Sequence, residues 1–472
     1  MDIKEFKQRA HELVEWIGDY FENIEQYPVK SRVKPGEVIR QLPASPPEEA
    51  EDFDVVFRDF ESIIMPGITH WQHPSFHAYF NANNSFPSIL GEMLTAALGA
   101  QCMSWQTSPA ATELEERVME WTGRLLGLPR TWAGVIQDTA STATLCSLLS
   151  AREKVSGYEI NRDGFYGRKR FTVYCSSEAH SSVEKAVKIA GLGRENLRKI
   201  PVDENFAMIP GKLEEALLQD RRKGFVPLAV VVAFGTTGST AIDPMEAIGR
   251  ICREQDIWLH VDAAYAGTAL VLPEIREQIK GLEMADTFVF NPHKWMFTNF
   301  DCSAYFVKDR EPLIRTMEIL PEYLKTKEGD QVHNYRDWGI QLGRRFRALK
   351  LWFVIRAYGA SGIREKVRQS IGWARELAAE IEAAEDFEML APVPFATLCF
   401  RFAPKGVTGT ETLNQLNAKL METLNDTGKI YLTHTKLRDI YTLRLVIGQT
   451  NQTRDHVFAA WKRIKETASA LL

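Results

Sequence analysis

The chain is expected to be an α/β protein, with a large domain on a mostly parallel sheet and a small α+β domain after it. Two observations lead there. From about Asn83, short continuous apolar runs (FTVYCSS, LAVVVAF, IWLHVD, TFVF, CSAYFVK) alternate with helical periodicity. Strands read this way when crossover helices cover both faces of the sheet. From Asp337 a long helical pattern (RRFRALKLWFVIRAYG, then GIREKVRQSIGWARELAAEIEAAE) leads into a strand (ATLCFRF), a helix from Glu411 to Leu424, two strands (KIYLTHT, YTLRLVIG) and a helix ending at Leu472. A chain of 472 residues also exceeds one hydrophobic core, so two or three packed units are expected.

The N-terminal part stands apart from the sheet. Ile3, Phe6, Leu13, Val14, Ile17, Tyr20, Phe21 and Ile24 recur at steps of three and four, which predicts an amphipathic helix. A linker rich in Pro and Glu (LPASPPEEAED) and a second helical stretch near Val55 to Ile64 follow. These apolar stripes precede any strand and need a surface from elsewhere, a partner subunit being one candidate. The expected division is 1–82 as an N-terminal helical segment that clasps a partner, 83–345 as the large α/β domain and 346–472 as the small domain.

Hydrophobic residues make up 45% and charged residues 25%, the balance of a globular protein. A net charge of −5 argues against nucleic acid or an anionic membrane as partner. MDIKEFKQRAHELVEW lacks the apolar run of a signal peptide, and the longest apolar stretches are strand-length. Six scattered cysteines without a CxxC pair read as reduced thiols, so a cytoplasmic location is expected. No metal site is expected.

The stretch FNPHKWMFTNF, Phe290 to Phe300, sets Lys294 among four aromatic side chains, directly after His293. Desolvation disfavours an ammonium, so an amine in apolar company is readily made nucleophilic and can form a Schiff base with a carbonyl. Open α/β sheets bind ligands beyond the carboxyl ends of their strands. Lys294 closes one strand, and Asp262 closes IWLHVD. QDTASTATL places Thr139, Ala140, Ser141 and Thr142 at a helix start, where backbone N–H groups hold anions, and the GTTGST turn adds Thr236 and Thr237. An amine, a carboxylate and an anion cradle together fit pyridoxal 5'-phosphate: the lysine binds its aldehyde, and the acid pairs with the protonated ring nitrogen.

HVDAAYAG and NPHKW, with SWQTSPAATELE, THWQHPSFHAYF and LGRRFRALKLW, resemble the group II pyridoxal-phosphate decarboxylases, specifically the aromatic-L-amino-acid decarboxylases. The resemblance runs strongly from near Met1 to about Gly359 and more loosely beyond. It implies the aspartate-aminotransferase-like (type I) fold and a homodimer with active sites at the subunit interface. It also implies Lys294 as the Schiff-base lysine, Asp262 as the ring-nitrogen partner, Ala264 against the ring and His180 stacked on it. Thr139, Ala140, Ser141 and Asn291 match phosphate contacts, and Thr237 matches a threonine near the phenolic oxygen. His293 lies within the motif and is expected to support the site.

For the substrate, the resemblance implies Trp71, Tyr79 and Phe80 in the side-chain pocket, and a flat apolar slot suits an aromatic ring. Asn81 and Ala82 stand where animal relatives tend to have Pro-Thr, Met103 where an aromatic is common, and Gly343 where plant relatives with Gly tend to take indoles. The resemblance thus implies phenylalanine, tyrosine, DOPA or tryptophan as the expected substrate, giving amine and CO2. Tyr323, within the polar stretch LPEYLKTKEGDQ expected to form a lid, matches the tyrosine that protonates the product carbon. Relatives that make aldehydes carry Phe there. Aldehyde synthesis by oxidative deamination is the nearest rival, an acidic-amino-acid decarboxylase the next, and a cofactor-binding sensor the most distant.

Overall fold

The computed structural model describes residues 1–165, 167, 170–319 and 331–472. The chain packs as two compact units: residues 1–81 with 379–388 and 400–472, and residues 82–378 with 389–399.

The larger unit is built on a seven-stranded sheet. Its strands are β1 (Ala133–Gln137), β2 (Phe171–Ser176), β3 (Leu197–Ile200), β4 (Val226–Ala233), β5 (Trp258–Asp262), β6 (Thr287–Phe290) and β7 (Ser303–Val307), in the order β1-β7-β6-β5-β4-β2-β3. The pairs β2–β3, β2–β4, β4–β5 and β5–β6 are parallel, and β7 runs antiparallel to both β6 and β1. The apolar run of β4 is buried from Pro227 to Val232, as a strand covered on both faces requires. β3 (LRKI) carries too little apolar pattern to be read from sequence.

The helix Ala140–Val155 packs against β5, β6 and β7, and its buried face joins them through hydrogen bonds. Ser147 Oγ lies 2.7 Å from Thr287 Oγ1 and accepts from Trp258 Nε1 at 2.9 Å. His260 bridges Thr144 (3.2 Å) and Thr287 (2.8 Å). Each member of this buried network has a partner, so the start of that helix is held in register with the strand that ends in Asp262.

The pattern from Asp337 becomes helix only at Arg347, running to Glu382 with a break at Gly359, where φ 64 and ψ 170 leave the helical path. Residues before Arg347 are withheld from the helix because their backbone pairs elsewhere: the Arg344 carbonyl accepts from the Cys102 N–H, and the Met103 carbonyl from the Arg336 N–H.

In the smaller unit the first helix spans Ile3–Glu22, its start capped by the Asp2 carboxylate, which accepts from the Lys4 and Glu5 N–H groups. None of its residues is buried, and Ile3 is 70% exposed. The stretch near Val55 is an α-helix, Phe53–Asp59, running into a π-helical turn, Phe60–Ile64. The C-terminal pattern becomes the helix Thr410–Asp426 and the antiparallel pair Thr433–Leu437 and Ile440–Val446.

Candidate active site

β1, β2, β4, β5 and β6 all point the same way, so the segments after their carboxyl ends collect along one edge of the sheet. Those segments hold Thr139 to Ser141, His180, Thr236 and Thr237, Asp262 to Ala264, and Asn291 to Lys294.

Lys294 sits in a single helical turn, Pro292–Trp295. Its N–H donates to the Asn291 carbonyl at 2.9 Å, and the Asn291 N–H donates to the Ala264 carbonyl at 3.0 Å. The Asn83 side-chain amide donates to the Lys294 carbonyl at 2.7 Å, and the Asn83 N–H to the His293 carbonyl at 3.0 Å. Ser303 Oγ donates to Asn291 Oδ1 at 2.5 Å. Trp295, fully buried, stacks on Tyr265 with centroids 4.9 Å apart. The backbone of the lysine is therefore held from several sides while its side chain is only half-buried.

His293 points the other way. It is buried, its Nδ1 accepts from the Cys302 N–H at 2.9 Å, and its ring packs 4.5 Å from that of Phe300. Desolvation, reinforced by the neighbouring Lys294, pushes its pKa down to about 3. It is a neutral imidazole that ties the lysine turn to the strand entering at Ser303.

Asp262 ends β5 half-buried, and its Oδ1 accepts from the Ala264 N–H at 3.0 Å. His180 caps the helix Ser181–Ile189, its Nδ1 accepting from the Ser182 N–H at 3.1 Å, which leaves the proton of the neutral ring on Nε2. Desolvation lowers the His180 pKa; the Asp262 carboxylate opposes that shift and the Lys294 ammonium adds to it. The Asp262 acid and the Lys294 amine thus both act on the His180 imidazole.

The helix start at Ala140 meets the needs of a phosphate. Thr139 Oγ1 accepts from the Thr142 N–H (3.4 Å), and the N–H groups of Ala140 and Ser141, first in a 16-residue helix, have no acceptor within it. The two threonines of the GTTGST turn have separate duties. Thr236 is buried and its Oγ1 accepts from the Ala241 N–H at 3.0 Å, closing the turn, whereas Thr237 is exposed. The donor set fits a ligand with a phosphate, an aldehyde and a protonatable ring nitrogen.

A model of the pyridoxal-dependent decarboxylase conserved domain matches residues 35–403. The chain belongs to that family. This decarboxylase is 41% identical over 485 residues to tyrosine decarboxylase 4 of Petroselinum crispum, covering 100% of this chain and 95% of the relative. It is 43% identical over 483 residues to phenylacetaldehyde synthase of Arabidopsis thaliana, covering 100% and 97%. Among solved structures, Catharanthus roseus tryptophan decarboxylase in complex with L-tryptophan superposes with a TM-score of 0.94 at 36% identity, covering 100% of this chain and 99% of that one. The fold is the type I pyridoxal-phosphate fold, and pyridoxal phosphate is the cofactor of this decarboxylase.

The substrate residues expected from the sequence fall in both units of the decarboxylase. Ala82, Met103 and Gly343 belong to the larger. In the smaller, Trp71 stacks on Tyr79 with centroids 5.7 Å apart, and the Tyr79 and Tyr431 hydroxyls lie 3.3 Å apart. Tyr79 adopts a left-handed φ of 53°, and the Arg444 guanidinium lies over the Phe80 ring at 5.1 Å. Tyr323 and residues 320–330 of the expected lid lie outside the described residues. Sequence reasoning missed Asn83, Ser303, Tyr431 and Arg444. None of the four carries a local signal for its contacts without the fold.

Acid should weaken the decarboxylase. His73, His77 and His260 have pKa values pushed down to about 4 by burial, and His293 to about 3. Between those values and about 6.5 the unfolded chain binds more protons, so each costs about 1.4 kcal/mol of stability per pH unit as the pH falls through that window. Asp243, raised to about 6, opposes them because its folded form is the better proton binder. The imidazoles lowered by burial, which also include His70, His180, His333 and His434, outnumber the raised carboxylates, which also include Glu178, Asp286 and Asp337. A lower urea midpoint is therefore expected at pH 5 than at pH 7, and equal midpoints would contradict the assignment of neutral buried imidazoles.

Proposed function

We propose that this decarboxylase converts aromatic L-amino acids, among phenylalanine, tyrosine, DOPA and tryptophan, to their amines and CO2. The observation that carries the reading is the meeting of Lys294, Asp262 and His180 at one sheet edge beside an anion-binding helix start. Pyridoxal phosphate, when bound, supplies the electron sink that accepts the electrons of the broken Cα–carboxylate bond.

The residues divide the remaining work. Lys294 Nζ would hold the cofactor's aldehyde carbon, and Asp262 would keep the proton on the ring nitrogen. His180, neutral at physiological pH, would lie on one face of the ring and Ala264 against the other. The N–H groups of Ala140 and Ser141, with Thr139 and the Asn291 amide, would hold the phosphate, and the accessible Thr237 hydroxyl would face the phenolic oxygen. His293 would act through the lysine turn it steadies. Trp71, Tyr79 and Phe80, and independently Ala82, Met103 and Gly343, are the residues that the family match assigns to the substrate ring, whose orientation sets which bond breaks. The printed names of the relatives, which include tyrosine and tryptophan decarboxylases, support an aromatic substrate.

A homodimer with its active sites at the interface goes with this reading. Two apolar helix faces support it: Ile3, Phe6 and Val14 on the first helix, and Phe86, Leu90, Leu94 and Leu98, which are 46–64% exposed, on the helix Phe86–Leu98. Sedimentation at micromolar concentration checks it. All six cysteines are buried, which fits reduced thiols in the cytoplasm, and among the described residues no helix is long and apolar enough to cross a membrane.

The second reading, aldehyde synthesis, is favoured by the 43% identity to a phenylacetaldehyde synthase. Tyr323 decides between them in our reading, as the general acid that protonates the product carbon. The test incubates the protein with each aromatic amino acid under air and quantifies amine, aldehyde and hydrogen peroxide. The parent should make amine with little peroxide, and Tyr323→Phe should exchange amine for aldehyde and peroxide in step. A variant that makes amine at the parental rate without added peroxide would remove Tyr323 from this role.

A further inference from the structure

In the smaller unit, three segments far apart in sequence are joined by main-chain hydrogen bonds. The Val29 N–H donates to the Gly428 carbonyl at 2.8 Å, the His70 N–H to the Val29 carbonyl at 2.9 Å, and the Tyr431 N–H to the Ser75 carbonyl at 3.2 Å. These segments and the C-terminal helix Arg454–Ser469 enclose a cavity of about 470 Å³, lined entirely by residues of this unit. That volume is in the range of small-molecule sites.

The charge of the cavity runs against that of the chain. Arg32, Lys429 and Arg463 line it, and Glu25 is the one carboxylate among the lining residues, a surplus of two positive charges in a chain of net charge −5. Glu25 has a partner elsewhere, its Oε1 lying 3.4 Å from His456 Nε2. His73 adds no charge, because burial pushes its pKa down to about 4. Cations gathered without counter-charges repel one another, and an anion between them removes that cost.

The donors are also placed. The Arg32 guanidinium donates through Nη2 to the Thr427 carbonyl and lies against Gly428, where a Cβ would stand 2.5 Å from Nη2. One of its five N–H donors is thereby used and the guanidinium is held at the cavity. Arg463 is half-buried, yet neither its guanidinium nor the Lys429 ammonium has a carboxylate partner among the described residues. Guanidinium forks match the oxygens of a phosphate, which carries about −1.5 to −2 at neutral pH and so answers a surplus of two where a carboxylate answers only half. Tyr27 and Pro28 give the cavity an apolar wall.

We propose that this cavity binds a small organic phosphate, with Arg32, Lys429 and Arg463 on the phosphate group and Tyr27 and Pro28 against its organic part. None of these residues is among those assigned to the cofactor or the substrate ring. The ligand would fasten the segment after the first helix to the C-terminal part of the unit, so its binding raises resistance to heat.

Calorimetry on the holoenzyme, whose cofactor already fills its own phosphate site, tests this with adenosine 5'-monophosphate and glucose 6-phosphate. Adenosine and glucose serve as uncharged controls. At least one of the phosphates should bind at one site per chain with a Kd below about 1 mM, and neither control should bind. Arg32→Gln and Arg463→Gln should each weaken binding about tenfold, with the cofactor absorbance of the parent retained. Lys429 is exposed, so Lys429→Gln offers a variant that keeps the fold and should also bind more weakly. Inorganic phosphate should raise the melting temperature of the parent more than that of Lys429→Gln; its general effect on stability acts on both alike, so the difference reports the site. Binding of neither organic phosphate at up to about 10 mM overturns the proposal, as does binding undiminished in Arg463→Gln and Lys429→Gln.

Discussion

Replacing Lys294 with alanine should abolish turnover, a loss on the order of 10⁴-fold or more, and leave the fold in place. The two halves of this expectation come from different atoms. The turn that carries the lysine is held by its backbone: Asn83 and Asn291 bind the main chain, and buried Trp295 anchors the next residue. None of these contacts uses Nζ. The side chain is only half-buried, so its removal leaves no large cavity. What disappears is the Lys294 amine, which acts together with Asp262 on His180. The visible absorbance of the bound cofactor should be lost or shifted while the far-ultraviolet circular dichroism matches the parent. A variant as active as the parent would defeat the assignment of the site.

Replacing Arg344 with methionine should produce the largest loss of stability among the changes considered. Glu115 is 2% exposed and Arg344 8% exposed, and they pair at 2.6 Å. The same Glu115 oxygen accepts from the Ile136 N–H at 2.8 Å. Removing the cation leaves a carboxylate in the interior without its partner, which costs about 3–5 kcal/mol. The melting temperature of the cofactor-free protein should fall by roughly 3–5 °C. Arg344→Met combined with Glu115→Gln should cost less than the sum of the two single changes, because the double variant leaves no orphaned charge. Additive losses would show that the pair does not act as one unit. Since Ile136 lies three residues before Thr139, cofactor affinity should weaken with stability in Arg344→Met.

Much of the site was legible along the chain. Lys294, Asp262 and the Thr139 to Ser141 cradle each follow a strand, and a strand is read from a short apolar run. Because parallel strands end on one edge, reading the strands amounts to locating their ends together. His180 was legible only through the family resemblance: SSEAHSS looks like an ordinary helix cap, and it does serve as one through its Nδ1. The supports of the lysine turn were not legible. Asn83 is 211 residues from Lys294 in sequence, and no local pattern announces a hydrogen bond across that distance. The divided duties of Thr236 and Thr237 were also hidden, because the turn that buries one hydroxyl and exposes the other is set by backbone bonds to Ala241.

By itself the sequence determined the class of fold, the strand-end positions of the reactive groups and the chemistry those groups can perform together. Periodicity and apolar runs are local properties, and burial on one or both faces imprints them directly on neighbouring residues. Only the tertiary structure decided which groups are neutral, which side chains are held and which are presented. His293 turns inward and is driven to the neutral form by burial, while Lys294, the very next residue, stays within reach of Asp262 and His180. Gln101 and Gly343, far apart in the chain, are neighbours in space, with the Arg344 N–H donating to Gln101 Oε1. Desolvation and long-range hydrogen bonding depend on what lies across space from a residue, and adjacency in the chain carries no record of that.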